Sequence, residues 1–170
     1  MNKTIQMAWV MLLTLLLVGV ADARGQRCKK SKQETTPTSD FTVNKNGTVL
    51  HKKTGLMWKR CTEGFKGSEC ETGEASRLFW SDLNDIAKKS SFATYRDWRV
   101  PTIDELKSIV EKRCKGPSIN LKVFSNTPNI SNWSGTEIDE ARAWQMYTTS
   151  GVAIKGRQQA KAALRLVRTP

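Results

Sequence analysis

The chain has 170 residues and a formal net charge of +12, with 38% hydrophobic and 26% charged residues. That length suffices for one domain with a real core, and past the amino terminus no segment is apolar enough to cross a bilayer. So positive a balance attracts anions, whether nucleic acid, acidic lipid or acidic polysaccharide; the alternative is a solvated surface that serves solubility.

The amino terminus reads as an address. Lys3 precedes an apolar run from Ala8 to Val20, broken only by Thr14, and Ala21-Asp22-Ala23 has the A-x-A cleavage pattern. This predicts a secretory signal peptide over residues 1–23. The run is short for a span of about 20 residues, which argues against an uncleaved anchor. Cys28 lacks the pattern that precedes a lipidated cysteine. Lys3 offsets Asp22, so the mature residues carry the whole positive balance. Export to the periplasm or cell surface permits disulfides and argues against intracellular nucleic acid. Lipopolysaccharide, sulfated glycans and extracellular DNA remain.

Residues 24–40 are basic, then rich in Ser, Thr and Pro, which predicts a flexible leader. The folded domain is expected over residues 41–170. Phe41-Thr42-Val43, Thr48-Val49-Leu50 and Leu56-Met57-Trp58 predict short strands, with turns at Asn46-Gly47 and Lys53-Thr54-Gly55. Trp80 to Lys89 has helical spacing, with Leu83, Ile86 and Ala87 on the apolar side and Ser81 or Asp82 as cap. A second helix is predicted from Thr102 to Arg113. Pro101 keeps Val100 out of the α region, and Thr102 and Glu105 have the spacing of a capping box. Ile103, Leu106, Ile109 and Val110 form its stripe, and Gly116-Pro117 ends it. After an irregular stretch over 118–131, strands are predicted at Asn132-Trp133-Ser134, Ala143 to Tyr147, Val152-Ala153-Ile154 and Leu164 to Arg168. Small strands, two helices and a terminal sheet predict an α+β fold with a mostly antiparallel sheet.

The four cysteines, Cys28, Cys61, Cys70 and Cys114, allow three pairings that sequence alone does not separate. The short polar loop between Cys61 and Cys70 favours that bridge and leaves Cys28–Cys114. The second bridge would tie the basic amino-terminal tail to the end of the second helix. No C-x-x-C occurs and His51 is the only histidine, so no metal is expected. His51 lies beside Lys52 and Lys53 with nothing to orient it, and no carboxylate pair stands out, so no catalytic residue and no cofactor are assigned. Asp82 and Asp85 read as solvated acids. Glu137, Asp139 and Glu140 form the densest acidic cluster, short of the six or more oxygens that calcium requires, and read as an exposed turn.

From Ala141 to Pro170 there is no acid. The ligand-binding set assigned there is Arg142, Lys155, Arg157 and Lys161, the last three in a loop between two strands. Arginine grips sulfate or phosphate through two parallel hydrogen bonds. Trp133 joins the set as a sugar-stacking platform, because its Asn and Ser neighbours place it at the surface. Trp58, Trp80, Trp98 and Trp144 are expected in the core. A second basic cluster, Lys107, Lys112, Arg113 and Lys115, complements the dipole at the end of the second helix.

Four blocks carry a family resemblance: Asn46-Gly47-Thr48-Val49 with Thr54-Gly55-Leu56-Met57-Trp58; Asp97-Trp98-Arg99-Val100-Pro101-Thr102 through Leu106; Asn132-Trp133-Ser134; and Leu166-Val167-Arg168. Together they resemble the Lcl carboxy-terminal domain family, DUF1566, over about residues 41–168, with Val100 where the family usually has Leu. The resemblance implies a C-type-lectin-like fold related to the formylglycine-generating enzymes. It also implies sulfated-polysaccharide binding, through a collagen-like bacterial adhesin that carries the domain. The copper-binding cysteines of the related enzymes have no counterpart, since no cysteine follows Cys114, and the chain has no collagen repeat. The match of Arg165 and Arg168 to the family's last block implies a structural role, such as an ion pair with Asp97. The expected function is non-catalytic binding of acidic polysaccharide or another surface polyanion. The alternative is an envelope or pilus assembly component with a protein partner.

Overall fold

The computed structural model describes residues 25–170, and the expected signal segment lies outside the described residues. Thirteen elements follow in order: β1 (Arg27–Cys28), β2 (Phe41–Val43), β3 (Thr48–His51), β4 (Leu56–Lys59), β5 (Phe65–Lys66), β6 (Thr72–Gly73), α1 (Leu83–Lys89), α2 (Ile103–Ser108), β7 (Cys114–Lys115), β8 (Ser131–Asp139), β9 (Arg142–Tyr147), β10 (Val152–Arg157) and β11 (Val167–Arg168). The fold is α+β, dominated by antiparallel strands.

The first sheet has the order β11-β4-β3-β2. Its β2–β3 turn forms where Asn46-Gly47 requires it. Gly47 adopts φ +79°, and the Asn46 side chain accepts bonds from the amide and hydroxyl of Thr48. The second sheet has the order β10-β9-β8, with irregular register in β8 between Trp133 and Asp139. Both sheets close on one buried segment. Leu166 accepts from the Lys59 amide and Leu164 from the Glu63 amide, while Ala163 accepts from the Trp133 amide. The strand expected from Leu164 therefore shortens to Val167–Arg168, because the residues before it divide their bonds between two sheets.

Both helices are shorter than their periodicity predicts. A 3-10 turn over Trp80–Asp82 precedes α1, and Asp82 sits at the cap without a side-chain bond. α2 opens with the full capping box: Thr102 Oγ1 accepts from the Glu105 amide, and Glu105 accepts from the Thr102 amide. It ends at Ser108, not Arg113. Val110 instead bridges Ile119, and the Glu111 amide donates to Ser118.

α2 buries Ile103 and Leu106 against Val49, Trp58, Phe124 and Met146. α1 buries Leu83 and Ala87 against Trp98, Trp133, Leu164 and Leu166. Trp58, Trp98 and Trp133 are almost wholly buried. Each withdraws about 150–250 Å² of surface, about 4–6 kcal/mol of transfer free energy.

The leader expected over residues 24–40 is a correction. From Gly25 onward this segment is fastened to the domain. β1 pairs with β7, the Gln26 side-chain Nε2 donates to the carbonyls of Pro117 and Ile119, and Thr35 and Thr36 bind the Glu111 carboxylate. Composition marked the segment as polar, but its partners lie 75 to 93 residues away. Among the described residues no helix is long and apolar enough to cross a membrane.

Candidate anion-binding site

Two disulfides are present, Cys28–Cys114 and Cys61–Cys70. The first organises a cluster of six cations. Antiparallel pairing places Cys28 opposite Cys114 and Arg27 opposite Lys115, and the Lys29 amide donates to the Arg113 carbonyl at 2.9 Å. Alternation along each strand then sends Arg27, Lys29, Arg113 and Lys115 to one face. With Lys32 and Lys112 they line an open cavity of about 350 Å³ whose only other wall residue is Cys28.

Residues directly opposite on an antiparallel pair have Cβ atoms about 4.5–5.5 Å apart, where like charges repel. The neighbouring disulfide and the flanking anchors hold Arg27 and Lys115 in that position. Glu111, itself buried, is the main anchor. Its carboxylate accepts from the Thr36 amide at 2.9 Å, the Thr35 amide at 3.1 Å and the Arg113 amide at 3.1 Å. Burial raises its pKa, but the bonds from Thr36, Arg113 and Thr35 outweigh it and hold the carboxyl below its ordinary range. Arg113 also pairs with Glu34. Arg27, Lys29, Lys32, Lys112 and Lys115 form no ion pair among the described residues. Three of these, Arg27, Lys29 and Lys32, belong to the segment whose composition predicts a flexible leader. The signal that could have found them was the basic run beside Cys28, once that cysteine is bridged to Cys114.

The set assigned from the carboxy-terminal sequence is partly brought together. Arg157 lies opposite Arg142, and Lys155 opposite Trp144, so Arg142, Lys155 and Arg157 share one face of the β9–β10 ribbon. Lys155 and Arg157 stand on β10 itself and not in a loop, because the hairpin pairs through Arg157. Arg142 is bound by Asp139 at 2.8 and 2.6 Å, a contact that holds Asp139 below the usual carboxylate range. Lys161 lies on the loop beyond β10, with Nζ 4.7 Å from the centroid of the exposed Phe79 ring. Trp133 is a correction: it is fully buried, and Nε1 donates to the Leu78 carbonyl at 2.9 Å. Its polar neighbours are buried too, Asn132 bonding Thr148 and Ser134 bonding the Trp144 carbonyl, so it offers no stacking surface. Lys107, from the second basic cluster, pairs with Asp104 on α2.

Arg168 binds both oxygens of Asp97 at 2.7 and 3.0 Å and lies over the Tyr95 ring. Arg165 is buried and donates to the carbonyls of Lys59 and Arg60 and to the hydroxyls of Thr62 and Thr127. His51 is stacked on Phe41 and shares a hydrogen bond with Thr54. Among the described residues no three His, Cys, Asp or Glu side chains converge as a metal site.

A family model described as the Lcl C-terminal domain matches residues 47–168, and the chain belongs to that family. No curated protein matches the chain.

Proposed function

We propose that this chain is an exported, non-catalytic binding domain for polyanionic ligands, and that the cup beside Cys28–Cys114 is its binding site. One observation carries the reading: Arg27 and Lys115, two cations, are held opposite each other beside a disulfide. An anion between them removes a repulsion that the fold alone leaves in place. Acidic or sulfated polysaccharide is the ligand class closest to the family resemblance. Two disulfides support export, since such bonds persist in oxidising compartments. The C-type-lectin-like architecture belongs to this proposal as well. Its support is two helices beside antiparallel sheets, with the last strand returning to pair with β4.

The test is elution from a heparin column against salt. Exposed charges are screened within about 10 Å at 0.1 M salt and about 3 Å at 1 M, so retention falls steeply with ionic strength. The protein with both disulfides intact is expected to bind at low salt, and Arg27→Glu is expected to elute much earlier. Flow-through at low ionic strength defeats the reading. A protein partner in an envelope or pilus assembly is the second reading. It is favoured by Tyr147 and Val152, 40% and 54% exposed and opposite each other on β9 and β10. A single stoichiometric protein recovered from envelope extract, with no heparin retention, would select it.

A further inference from the structure

Resting on the polyanion reading, we propose that the cup selects clustered phosphate monoesters over sulfate esters and carboxylates. Lysines dominate its walls: Lys29, Lys32, Lys112 and Lys115 stand with Arg27 and Arg113. Arg113 already pairs with Glu34, which leaves Arg27 as the cup's one guanidinium without an ion pair among the described residues. An arginine fork recognises the shape of two oxygens, but a lysine ammonium acts as a compact point charge with three rotatable donors. A lysine-lined site therefore discriminates by the charge on each group. A phosphate monoester carries about −1.5 to −2 near neutral pH, and a sulfate ester or carboxylate carries a single charge.

The shape points the same way. Arg27 and Lys115 project from two paired strands whose axes lie about 4.8 Å apart, Lys29 and Arg113 flank them in the chain, and Lys32 and Lys112 complete the lining. A compact scaffold with adjacent phosphates meets cations from both strands at once. A linear polysaccharide spreads its charges along its length and reaches only part of the cup.

The walls also give the selection a pH signature. They carry only lysine, arginine and a disulfide cysteine, with no histidine. The carboxylates packed behind them are Glu34 on Arg113, and Glu111 on Thr35, Thr36 and the Arg113 amide. Histidine is the side chain that ordinarily titrates between about pH 5 and pH 8, and the cup has none. A phosphate monoester titrates there, with its second pKa near 6, and a sulfate ester does not. Binding of phosphate should weaken across that interval through the ligand's own protonation.

Calorimetric titration of the disulfide-intact protein with inositol hexakisphosphate and inositol hexasulfate, at about pH 7.5 and about pH 5, tests this on one scaffold. The phosphate is expected to bind about tenfold tighter at the higher pH, with the advantage falling to within about threefold at the lower. Lys115→Glu should lose about tenfold or more without lowering its melting temperature, and Lys45→Glu, exposed in the β2–β3 turn, should bind as the unaltered protein does. Equal affinities for the two ligands at both pH values overturn the phosphate selection and leave the polyanion reading standing. Binding of neither overturns the polyanion reading itself, and binding lost in Arg157→Glu but kept in Lys115→Glu overturns the placement in the cup. Sedimentation with phosphatidylcholine vesicles doped with phosphatidic acid separates the sources. Co-sedimentation assigns a membrane headgroup, and hexakisphosphate binding without it assigns a soluble polyphosphate.

Discussion

Arg99 and Glu105 close a ring around the start of α2. The Arg99 guanidinium donates to both Glu105 oxygens at 2.8 and 2.6 Å, and one of those oxygens also accepts from the Thr102 amide at 2.8 Å. The segment from Asp97 to Leu106 is thus a structural clasp, with Trp98 buried and its indole N–H donating to the Phe92 carbonyl. Hydrogen bonding from Arg99 is the main reason that Glu105 sits below the usual carboxylate range.

Glu105→Ala removes half of a capping box and a half-exposed ion pair. The expected loss is about 1–2 kcal/mol by urea denaturation, since helix caps are worth about 0.5–2 and exposed pairs less than 1. Heparin elution should not move. Earlier elution with unchanged stability would show that the motif contacts ligand.

Lys115→Gln should act in the opposite sense. It relieves a like-charge pair with Arg27, so stability rises by about 0.2–1 kcal/mol at low salt, or about 1–3 °C in melting temperature. The gain should vanish at high salt, and heparin elution should move to lower salt. A substitution that stabilises the fold and weakens binding marks a group placed for a ligand. A lower melting temperature with unchanged elution would contradict that.

Arg165→Met should be the most damaging of these changes. Burial lowers the Arg165 guanidinium to about 9, with the Glu63 carboxylate acting against it, so the group is still charged at neutral pH. Its removal leaves two carbonyls and the hydroxyls of Thr62 and Thr127 without their donor, and takes a cation from the Phe124 face, 4.9 Å away. The expected cost is about 3–5 kcal/mol. Lysine cannot reproduce the fork, so Arg165→Lys should recover only part of it. A melting temperature within about 2 °C of the unaltered protein would show that the network has slack.

Short-range features were readable in the sequence. The Thr102–Glu105 box, the Asn46-Gly47 turn and the first three strands of the domain depend on neighbours a few residues apart. Ile109, Val110 and Glu111 were not readable, since helical spacing continues through them. What stops the helix is Ile119 and Ser118 from one side and Thr35 and Thr36 from the other. The cup was hidden for the same reason. Its lysines and arginines come from two segments joined by Cys28–Cys114, 86 residues apart in sequence. Trp133 misled because Asn and Ser beside a tryptophan suggest surface, and only the tertiary partners of Asn132 and Ser134 show otherwise.

His51 and Glu111 give the fold two acid-sensitive steps. Burial is the main cause that lowers the His51 pKa, with Lys53 in the same direction and Asp40 against it. The folded protein therefore holds a neutral imidazole where the unfolded chain takes up a proton below about 6.5. Stability is fully present above that value and declines as pH falls toward the folded pKa, because the unfolded state binds more protons in the interval. Glu111 also has a lowered folded pKa, so its contribution is present above about 4.3 and is lost as pH falls below it. Urea denaturation from about pH 8 to pH 4 should show a plateau, a decline beginning near 6.5 and a second decline near 4. His51→Gln should flatten the first step and leave the second. A first step that survives that substitution would assign the neutral-to-acid decline to another group.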